Sequence, residues 1–266
     1  MNSRRAAKAP TGRAAAAEAD DGITIRQCHR IEEFEACIRV ERAVWQSSDI
    51  DVVPLPLFVV AAETGGHVLG AFEGADLVGF TLAIAGWRVG KPFLHSHMTA
   101  VLEGKRDVGI GRRLKLFQRE DALARGIHLV EWTFDPLVTK NAHFNFMRLG
   151  AIAKRYLPNA YGITTSPLHG SLPTDRLIAE WHLRSAHVRR VLSGRLQATP
   201  PPKKAIQISV PSHIEDLKRS QPEQAREIQS RVRAEFQKWF GKGYVAIVTL
   251  PSESGMDYIL EPGSRV

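Results

Sequence analysis

Two glycines, Gly109 and Gly111, stand one residue apart between a strand-like run and a helix-like run. Residues 93–102 have the apolar content of a strand, and residues 110–124 repeat apolar side chains at helical spacing. Gly126 follows the helical run where glycine commonly ends a helix. A strand that enters a helix through so short a turn predicts an α/β fold built around this junction.

The same junction predicts a binding site for an anionic group. The N–H groups of a helix's first turn have no partner inside the helix, and the helix dipole places partial positive charge there. Glycine has no side chain to keep a phosphate away from these N–H groups. Three arginines flank the turn and would add charge-assisted hydrogen bonds: Arg106, Arg112 and Arg113. We interpret residues 101–114 as a pyrophosphate site.

The rest of the first 195 residues alternates between strand and helix patterns. The predicted elements are a strand at 23–27, a helix at 31–46, a loop with Pro54 and Pro56, a hairpin of 68–72 and 77–85, then, after the glycine junction, a strand at 127–134, a helix at 139–149 and strands at 152–156 and 177–183. This order predicts an α/β (α+β) fold with a mixed, mostly antiparallel twisted sheet flanked by helices.

Changes in composition mark the predicted domain boundaries. Residues 1–22 form a basic leader that lacks the apolar residues for a core, and residues 23–195 form the main domain. Three consecutive prolines at 200–202 indicate a stiff linker over 196–204. Residues 205–266 predict a small β-α-β extension whose helix has one apolar face.

Composition narrows the classes of partner. The chain has 36 Lys+Arg against 28 Asp+Glu, a formal charge of +8, which favours an anionic partner such as a polyphosphate or nucleic acid. It has no apolar run of membrane-spanning length and no secretory signal, so we predict a cytoplasmic protein without a membrane partner. The two cysteines fit a reducing compartment. His95 and His97 lack a third ligand at diagnostic spacing, so we predict no metal.

The residues Arg106-x-x-Gly109-x-Gly111 resemble the cofactor motif of the GNAT superfamily of acyl-CoA N-acyltransferases, Gln/Arg-x-x-Gly-x-Gly/Ala. The order of elements over residues 23–183 is also similar to that fold. Two positions depart from the pattern, since Glu103 stands where a proline is frequent and Asp107 where a glycine is frequent. The resemblance implies acetyl-CoA or another acyl-CoA as co-substrate. The residues it places around the pyrophosphate are Arg106, Asp107, Val108, Gly109, Ile110, Gly111 and Arg112.

The sequence of the predicted helix at 139–149 departs further from the family's pattern. There the family's Asn contacts CoA and its Tyr protonates the departing thiolate. Alignment on Gly150 places Thr139 at the Asn and Phe146 at the Tyr, with Asn141 displaced by two residues. A phenylalanine cannot donate a proton, so Tyr161, a water molecule or no dedicated acid would serve. Asn141 and Phe146 remain predicted cofactor contacts.

The resemblance also implies where the reaction takes place. A neutral nucleophile would attack the thioester carbonyl directly, and backbone N–H groups would hold the oxyanion where two strands separate. In this chain those strands are residues 99–101 and 131–134. The first of them supplies three predicted cofactor contacts: Thr99, Ala100 and Val101.

A protonated amine must lose a proton before it attacks, and a neutral histidine suits that task. His97 is the first candidate for the base, and strand alternation turns His95 the same way. Glu131 and Asp135 are the carboxylate candidates near the cleft. A purely structural role within the sheet is the alternative for both histidines.

The sequence therefore predicts an acyl-CoA-dependent N-acyltransferase that acts on a small-molecule amine, with a hydroxyl or a protein lysine left open as acceptor. One alternative is a module of the same fold that binds CoA or another anion without turnover. The other is a basic protein associated with nucleic acid, although the chain lacks the usual RNA- and DNA-binding signatures. The C-terminal extension would pack over the acceptor side of the cleft or form a contact in a homodimer.

Overall fold

The computed structural model describes residues 17–18, 21–46, 48–162, 172–195 and 205–265. The strands are β1 (Ala17–Glu18), β2 (Ile23–Gln27), β3 (His67–Glu73), β4 (Asp76–Arg88), β5 (Lys91–Val101), β6 (Leu129–Phe134), β7 (Ile152–Leu157), β8 (Arg176–His182), β9 (Ile206–Pro211), β10 (Tyr244–Ser252) and β11 (Gly255–Pro262). The helices are α1 (Ile31–Trp45), α2 (Leu55–Glu63), α3 (Ile110–Ala124), α4 (Thr139–His143), α5 (Ala186–Leu192), α6 (Ile214–Ser220) and α7 (Pro222–Phe240). Most of the predicted leader and all of the predicted linker at 196–204 lie outside the described residues.

These strands form one sheet in the order β1-β2-β3-β4-β5-β6-β8-β7-β10-β11-β9. Among the described residues every neighbouring pair is antiparallel except β5 and β6. A parallel pair needs a crossover connection, and α3 supplies it. The predicted fold class, a mixed and mostly antiparallel sheet flanked by helices, is confirmed.

The one parallel pair separates after two residue pairs. Leu94 pairs with Val130 and His95 pairs with Glu131, and these are the paired positions of β5 and β6 within the described residues. On its other side β5 has a β-bulge at His97, because the register with β4 shifts there. Bulges bend a strand and re-aim its side chains. The two strands thus leave a strand gap, bounded by residues 96–101 of β5 and 132–134 of β6.

Helices cover both faces of the sheet around the gap. On one face, α1 and α2 pack through a cluster that includes Phe34, Phe58 and Phe80. On the other face, α3 buries Ile110 and Leu114 against the first strands. Burial of such side chains stabilises the fold by roughly 1.5–3 kcal/mol each. The gap therefore lies in a sheet that is held rigid from both sides.

The segment with Pro54 and Pro56 forms helix α2, so the predicted loop there is wrong. Pro54 is the N-cap of the helix and Pro56 lies in its first turn. Proline is tolerated there because the N–H groups of the first turn have no partner within the helix. The prolines thus begin a helix at this position.

Residues 205–265 fold as β9, α6, α7, β10 and β11, which is one helix more than predicted. The sequence offers strand candidates at 244–250 and 258–260, and they lie within β10 and β11. These strands continue the main sheet because Ala246 of β10 pairs with Ala153 of β7. Phe236 of α7 packs on Tyr156 and Tyr258, with ring centroids 5.8 and 5.1 Å away. Tyr258 Oη also donates a hydrogen bond to the carbonyl of Pro136, close to the end of β6. In the described part of the chain, no helix is both long and apolar enough to cross a membrane.

Candidate functional site

The glycine junction forms a helix start without a side-chain cap. Gly109 is the N-cap of α3 and has a φ of 90°, a left-handed conformation that favours glycine. The first hydrogen bond of the helix runs from Arg113 N to Gly109 O at 3.0 Å. The N–H groups of the three residues between them precede that bond and have no partner within the helix. They are therefore available to an anion from outside the helix.

The second motif glycine leaves open space rather than relieving a clash. A Cβ built on Gly111 would meet only Val101 Cγ2, at 3.9 Å, within the described residues. That distance is an ordinary van der Waals contact, so packing alone does not require glycine at this position. The missing side chain matters instead for a group that approaches the helix start from outside.

Asp107, at which the resembled motif often has a glycine, has a left-handed backbone conformation that favours glycine. Its φ is 63°, which is unusual for a residue with a side chain, although Asp tolerates it better than most. The Asp107 carboxylate pairs with Lys140 Nζ at 3.0 Å. Both side chains are largely exposed, so the pair adds little stability, but it links the motif loop (residues 106–112) to the start of α4.

The three arginines around the motif loop have different roles. Arg106 is exposed, and its Nε donates to the carbonyl of Val101 at 3.1 Å. Arg113 turns away from the loop, since it donates to Asp21 and to the carbonyl of Ile23. Arg112 is half-buried and lines a cavity of about 390 Å³. Arg106 and Arg112 are therefore placed to contact an anion, whereas Arg113 fastens α3 to the sheet.

The cavity beside Arg112 lies between the helix start and the segment after α4. The lining residues are Arg112, His143, Met147, Arg148, Val191, Leu192 and Gly194. Residues Phe144–Leu149 continue α4 as a π-helix, a feature often found at functional sites. Two arginines give this cavity a positive lining suited to a phosphorylated ligand.

The two predicted contacts on this helix lie in different surroundings. Asn141 is exposed in α4. Phe146 is fully buried, with its ring edge-on to Phe134 and Tyr258 at centroid distances of 5.9 and 6.0 Å. The residue in the position of the family's Tyr thus belongs to the core that joins the main sheet to the C-terminal strands.

His95 and His97 face the same side of β5, as strand alternation predicts. Their ring centroids are 5.9 Å apart. Desolvation lowers the pKa of both imidazoles, and for His95 the neighbouring His97 lowers it further. The lowered pKa favours the neutral imidazole, the form in which a histidine accepts a proton. No group of three or more metal-ligating side chains occurs among the residues that the structure describes.

Glu131 belongs to the last parallel pair, is buried, and is held by two guanidinium groups. Arg88 donates to its Oε1, and Arg155 Nη2 does so at 2.8 Å. Arg155 also donates through Nε to Glu180, at 3.1 Å, and Lys154 pairs with the same carboxylate at 2.9 Å. These pairs compensate the two buried carboxylates and make this face of the sheet strongly polar.

Asp135 and Tyr161 lie near the far end of the gap. Asp135 Oδ1 accepts from Leu137 N at 2.8 Å, and its other oxygen lies 3.4 Å from Lys218 Nζ of α6. The Tyr161 hydroxyl is 2.7 Å from Thr133 Oγ1 of β6. Tyr161 as a whole is exposed.

Sequence reasoning missed Lys115, which is buried in α3 beneath the gap. Its Nζ lies 4.0 Å from the ring centroid of Trp132. A signal was present, because Lys115, Gln118 and Asp121 recur every third residue beside the apolar positions of α3. Such a stripe usually faces solvent, but here it faces the sheet.

The chain is similar to solved structures of acetyltransferases. A GNAT-family protein from Desulfovibrio desulfuricans is 16% identical, with a TM-score of 0.49, over 60% of this chain and 99% of that one. A GNAT family acetyltransferase from Elizabethkingia anophelis with acetyl-CoA bound is 14% identical, with a TM-score of 0.44, over 61% and 99%. An aminoglycoside acetyltransferase from an uncultured soil metagenomic sample is 18% identical, with a TM-score of 0.43, over 48% and 87%.

No protein-family model matches the chain, and no curated protein sequence is similar to it. The similarity to solved structures concerns the fold and does not extend to individual site residues. The site therefore rests on the geometry of the chain itself.

Proposed function

We propose that this chain transfers an acetyl or other acyl group from acyl-CoA to an amine acceptor. One observation carries the proposal: the uncapped glycine start of α3 adjoins a parallel strand pair that separates after His95 and Glu131. The helix start suits a pyrophosphate, and the gap suits the arm of CoA and its thioester. The motif Arg106-x-x-Gly109-x-Gly111 supports the same reading.

The motif loop fits a pyrophosphate in charge and in shape. The free N–H groups lie at Ile110, Gly111 and Arg112, and the open approach at Gly111 would let phosphate oxygens reach them. The Arg112 cavity would take the nucleotide end of the same molecule. When bound, acyl-CoA supplies an activated thioester. The residues proposed to hold it are Thr99, Ala100, Val101, Arg106, Asp107, Val108, Gly109, Ile110, Gly111, Arg112 and Asn141, with Phe146 in the core behind them.

His97 is the proposed general base. It is exposed at the β-bulge next to the gap, and partial desolvation lowers the pKa of its imidazole, which favours the neutral form. A positioned base of this kind accelerates a reaction by roughly 10²–10⁴-fold. We propose that Glu131 and Asp135 shape and orient the acceptor side, and that the Tyr161 hydroxyl can give or take a proton there.

The acceptor proposed for this site is a small molecule with an amino group, and a hydroxyl remains the second choice. The polar face beside the gap, with Arg88, Arg155 and Lys154 around two carboxylates, suits an acceptor with several polar groups. We further propose residues 23–195 as the catalytic domain and 205–266 as an attached extension. The free, buried thiols Cys28 and Cys37 fit the cytoplasm.

One observation favours a second candidate, a CoA-binding module without turnover. The residue aligned with the family's proton-donating Tyr is Phe146, which has no hydroxyl and is fully buried. Turnover would therefore need a proton source other than the residue at position 146.

Release of the CoA thiol from acetyl-CoA distinguishes an acyltransferase from a CoA-binding module. The full chain is incubated with acetyl-CoA and a panel of small amines, and free CoA thiol is measured. We expect release above the uncatalysed rate for at least one amine, and a loss of about 100-fold in His97→Ala with unchanged CoA affinity. His29→Ala, at an exposed histidine before α1, is the matched control and should keep full activity. Binding of acetyl-CoA without release for any amine would favour the binding module.

A further inference from the structure

A chain of hydrogen bonds runs from α3 to the strand that lines the gap. Lys115 Nζ donates to Ser96 Oγ at 2.9 Å, and Ser96 Oγ lies 3.4 Å from Thr81 Oγ1. Thr81 Oγ1 in turn lies 2.9 Å from Thr99 Oγ1 and also donates to the carbonyl of Met98 at 2.9 Å. The first three side chains are buried, whereas Thr99 is half-buried at the gap. The buried amine of Lys115 is thus linked through two hydroxyls to Thr99, a residue proposed to contact the acyl-CoA.

A second set of hydrogen-bonded side chains holds Lys115 in place. Lys115 Nζ donates to Gln118 Oε1 at 2.6 Å, because an ammonium group can only donate. The Gln118 amide group therefore donates through Nε2 to His67 Nε2, at 2.9 Å. His67 then carries its proton on Nδ1 and donates to Asp121 Oδ2 at 2.8 Å. Arg125 Nη2 completes the set with a 2.6 Å bond to Asp121.

Lys115 lies where the two strands begin to separate. The last parallel pair is His95 with Glu131. Ser96, which accepts the hydrogen bond from Lys115, is the next residue of β5. Trp132, whose ring lies under Lys115 Nζ, is the next residue of β6. A cation over an indole face is stabilised by the ring electrons. The amine therefore bridges β5 and β6 at the apex of the gap, on the face that carries α3.

An unpaired donor lies in the same place. Trp132 Nε1 donates to Asn145 Oδ1 at 3.2 Å, which leaves Asn145 Nδ2 without a partner among the described residues. Asn145 is only 4% exposed. A buried amide N–H group without an acceptor costs free energy unless a ligand supplies the acceptor. This observation, independent of the hydroxyl chain, points to a ligand at the apex of the gap.

We propose that Lys115 is the proton source for the thiolate that leaves the acyl group, with the hydroxyls of Ser96, Thr81 and Thr99 as the path. The proposal rests on the proposed function and supplies the acid that Phe146 cannot provide. Lys115 is a proton donor that acts through Thr99, the group at the gap.

Bonds, electrons and protons balance in this step. The acceptor nitrogen forms a bond to the carbonyl carbon, and the carbon–sulfur bond breaks with its electron pair on sulfur. The Thr81 hydroxyl first turns its hydrogen from the Met98 carbonyl to Thr99. Thr99 gives its proton to sulfur and takes one from Thr81, Thr81 takes one from Ser96, and Ser96 takes one from Lys115. His97 takes the proton that the acceptor nitrogen loses. Water returns both proton carriers to their starting states after the products leave.

The electrostatic surroundings let Lys115 release a proton near neutral pH. Burial lowers its pKa to about 7. The titratable and charged groups around it are His67 on β3, His95 on β5, and Asp121 and Arg125 on α3. Between pH 7 and the ordinary lysine pKa of 10.5 the unfolded chain binds one proton more than the folded chain. Stability therefore rises with pH across that window, and Lys115→Met should abolish this rise.

The test measures how thiol release depends on pH, and the pH dependence of stability is its second readout. The full chain is incubated with acetyl-CoA and an amine acceptor, and thiol release is followed against pH for wild type, Lys115→Met and Lys91→Met. Lys115 can give a proton only while it is charged, so we expect release by wild type and by Lys91→Met to fall as pH rises above about 7. We expect Lys115→Met to release thiol about 100-fold more slowly at pH 7 and to lack this fall. Lys91 is the matched control because it is exposed at the start of β5.

A second variant tests the path without changing charge. Thr99→Val should slow thiol release at saturating acetyl-CoA about 10-fold, or about 1.4 kcal/mol in the barrier. The same pH dependence of thiol release in wild type and Lys115→Met would overturn the proposal and leave the proposed function intact. Mass spectrometry that finds an acetyl group on Lys115 would also overturn it, because the amine would then accept the acyl group. A folded chain that does not bind CoA would overturn the proposed function as well.

Discussion

Gly111→Asp should lower the affinity for acetyl-CoA at least about 100-fold, or about 2.7 kcal/mol, without unfolding the protein. The new carboxylate would stand at the helix start, where it would repel the phosphates and occupy their approach. The fold has room for it, since the nearest described atom to a Cβ at this position is 3.9 Å away. Calorimetric titration with acetyl-CoA measures the affinity, and circular dichroism checks the fold.

Gly104→Asp is the matched control for that experiment. Gly104 lies in the short turn Glu103–Lys105 just ahead of the motif loop, and no described atom lies within 4 Å of a Cβ built on it. The control introduces the same charge close to the site but not at the helix start. We expect Gly104→Asp to lower the affinity for acetyl-CoA by less than about threefold. Equal losses in both variants would show that net charge, and not the helix start, controls binding.

Asp175→Ala should destabilise the protein by about 3 kcal/mol, the second large effect that the structure predicts. Asp175 is fully buried and accepts four hydrogen bonds. Tyr156 Oη donates at 2.7 Å, Asn159 N at 2.9 Å, and Arg233 of α7 donates twice, at 2.8 and 2.9 Å. Without the carboxylate, the guanidinium and the phenol lose their shared partner in a desolvated place.

Chemical denaturation of Asp175→Ala against wild type measures this loss. Asp49→Ala is the control, because Asp49 forms an exposed pair with Arg42 and should lose less than about 0.5 kcal/mol. We also expect Arg233→Ala to be milder than Asp175→Ala, since Asp175 would keep its other two partners. A loss below about 1 kcal/mol in Asp175→Ala would contradict the role assigned to this buried pair between the C-terminal helix and the main sheet.

The sequence predicted those parts of the fold that depend on local pattern. The strand, glycine pair and helix around Gly109 could be read because apolar spacing and glycine position act over a few residues. Pro54 and Pro56 misled the prediction, since the same residue that breaks a helix interior also begins a helix. The division of the C-terminal segment into two helices also escaped the pattern, because Pro222 opens the second of them directly after the first.

The candidate site was predictable only where its residues are neighbours in sequence. The motif loop met that condition. The gap did not, because it arises from pairing between β5 and β6 that stops after His95 and Glu131. Lys115 was missed for the same reason, as its partners Ser96 and Trp132 come from two different strands. Long-range pairing of this kind leaves no periodic signal in one sequence.

Amide resonances of the motif loop provide the most direct test of the central claim, that the start of α3 holds the pyrophosphate of acyl-CoA. Proton–nitrogen spectra of the full chain are recorded during titration with acetyl-CoA and, separately, with S-acetylpantetheine, which lacks the pyrophosphate. We predict that the N–H signals of Ile110, Gly111 and Arg112 shift with acetyl-CoA and stay in place with S-acetylpantetheine. Shifts confined to other parts of the chain, or the same shifts with both compounds, would contradict the claim.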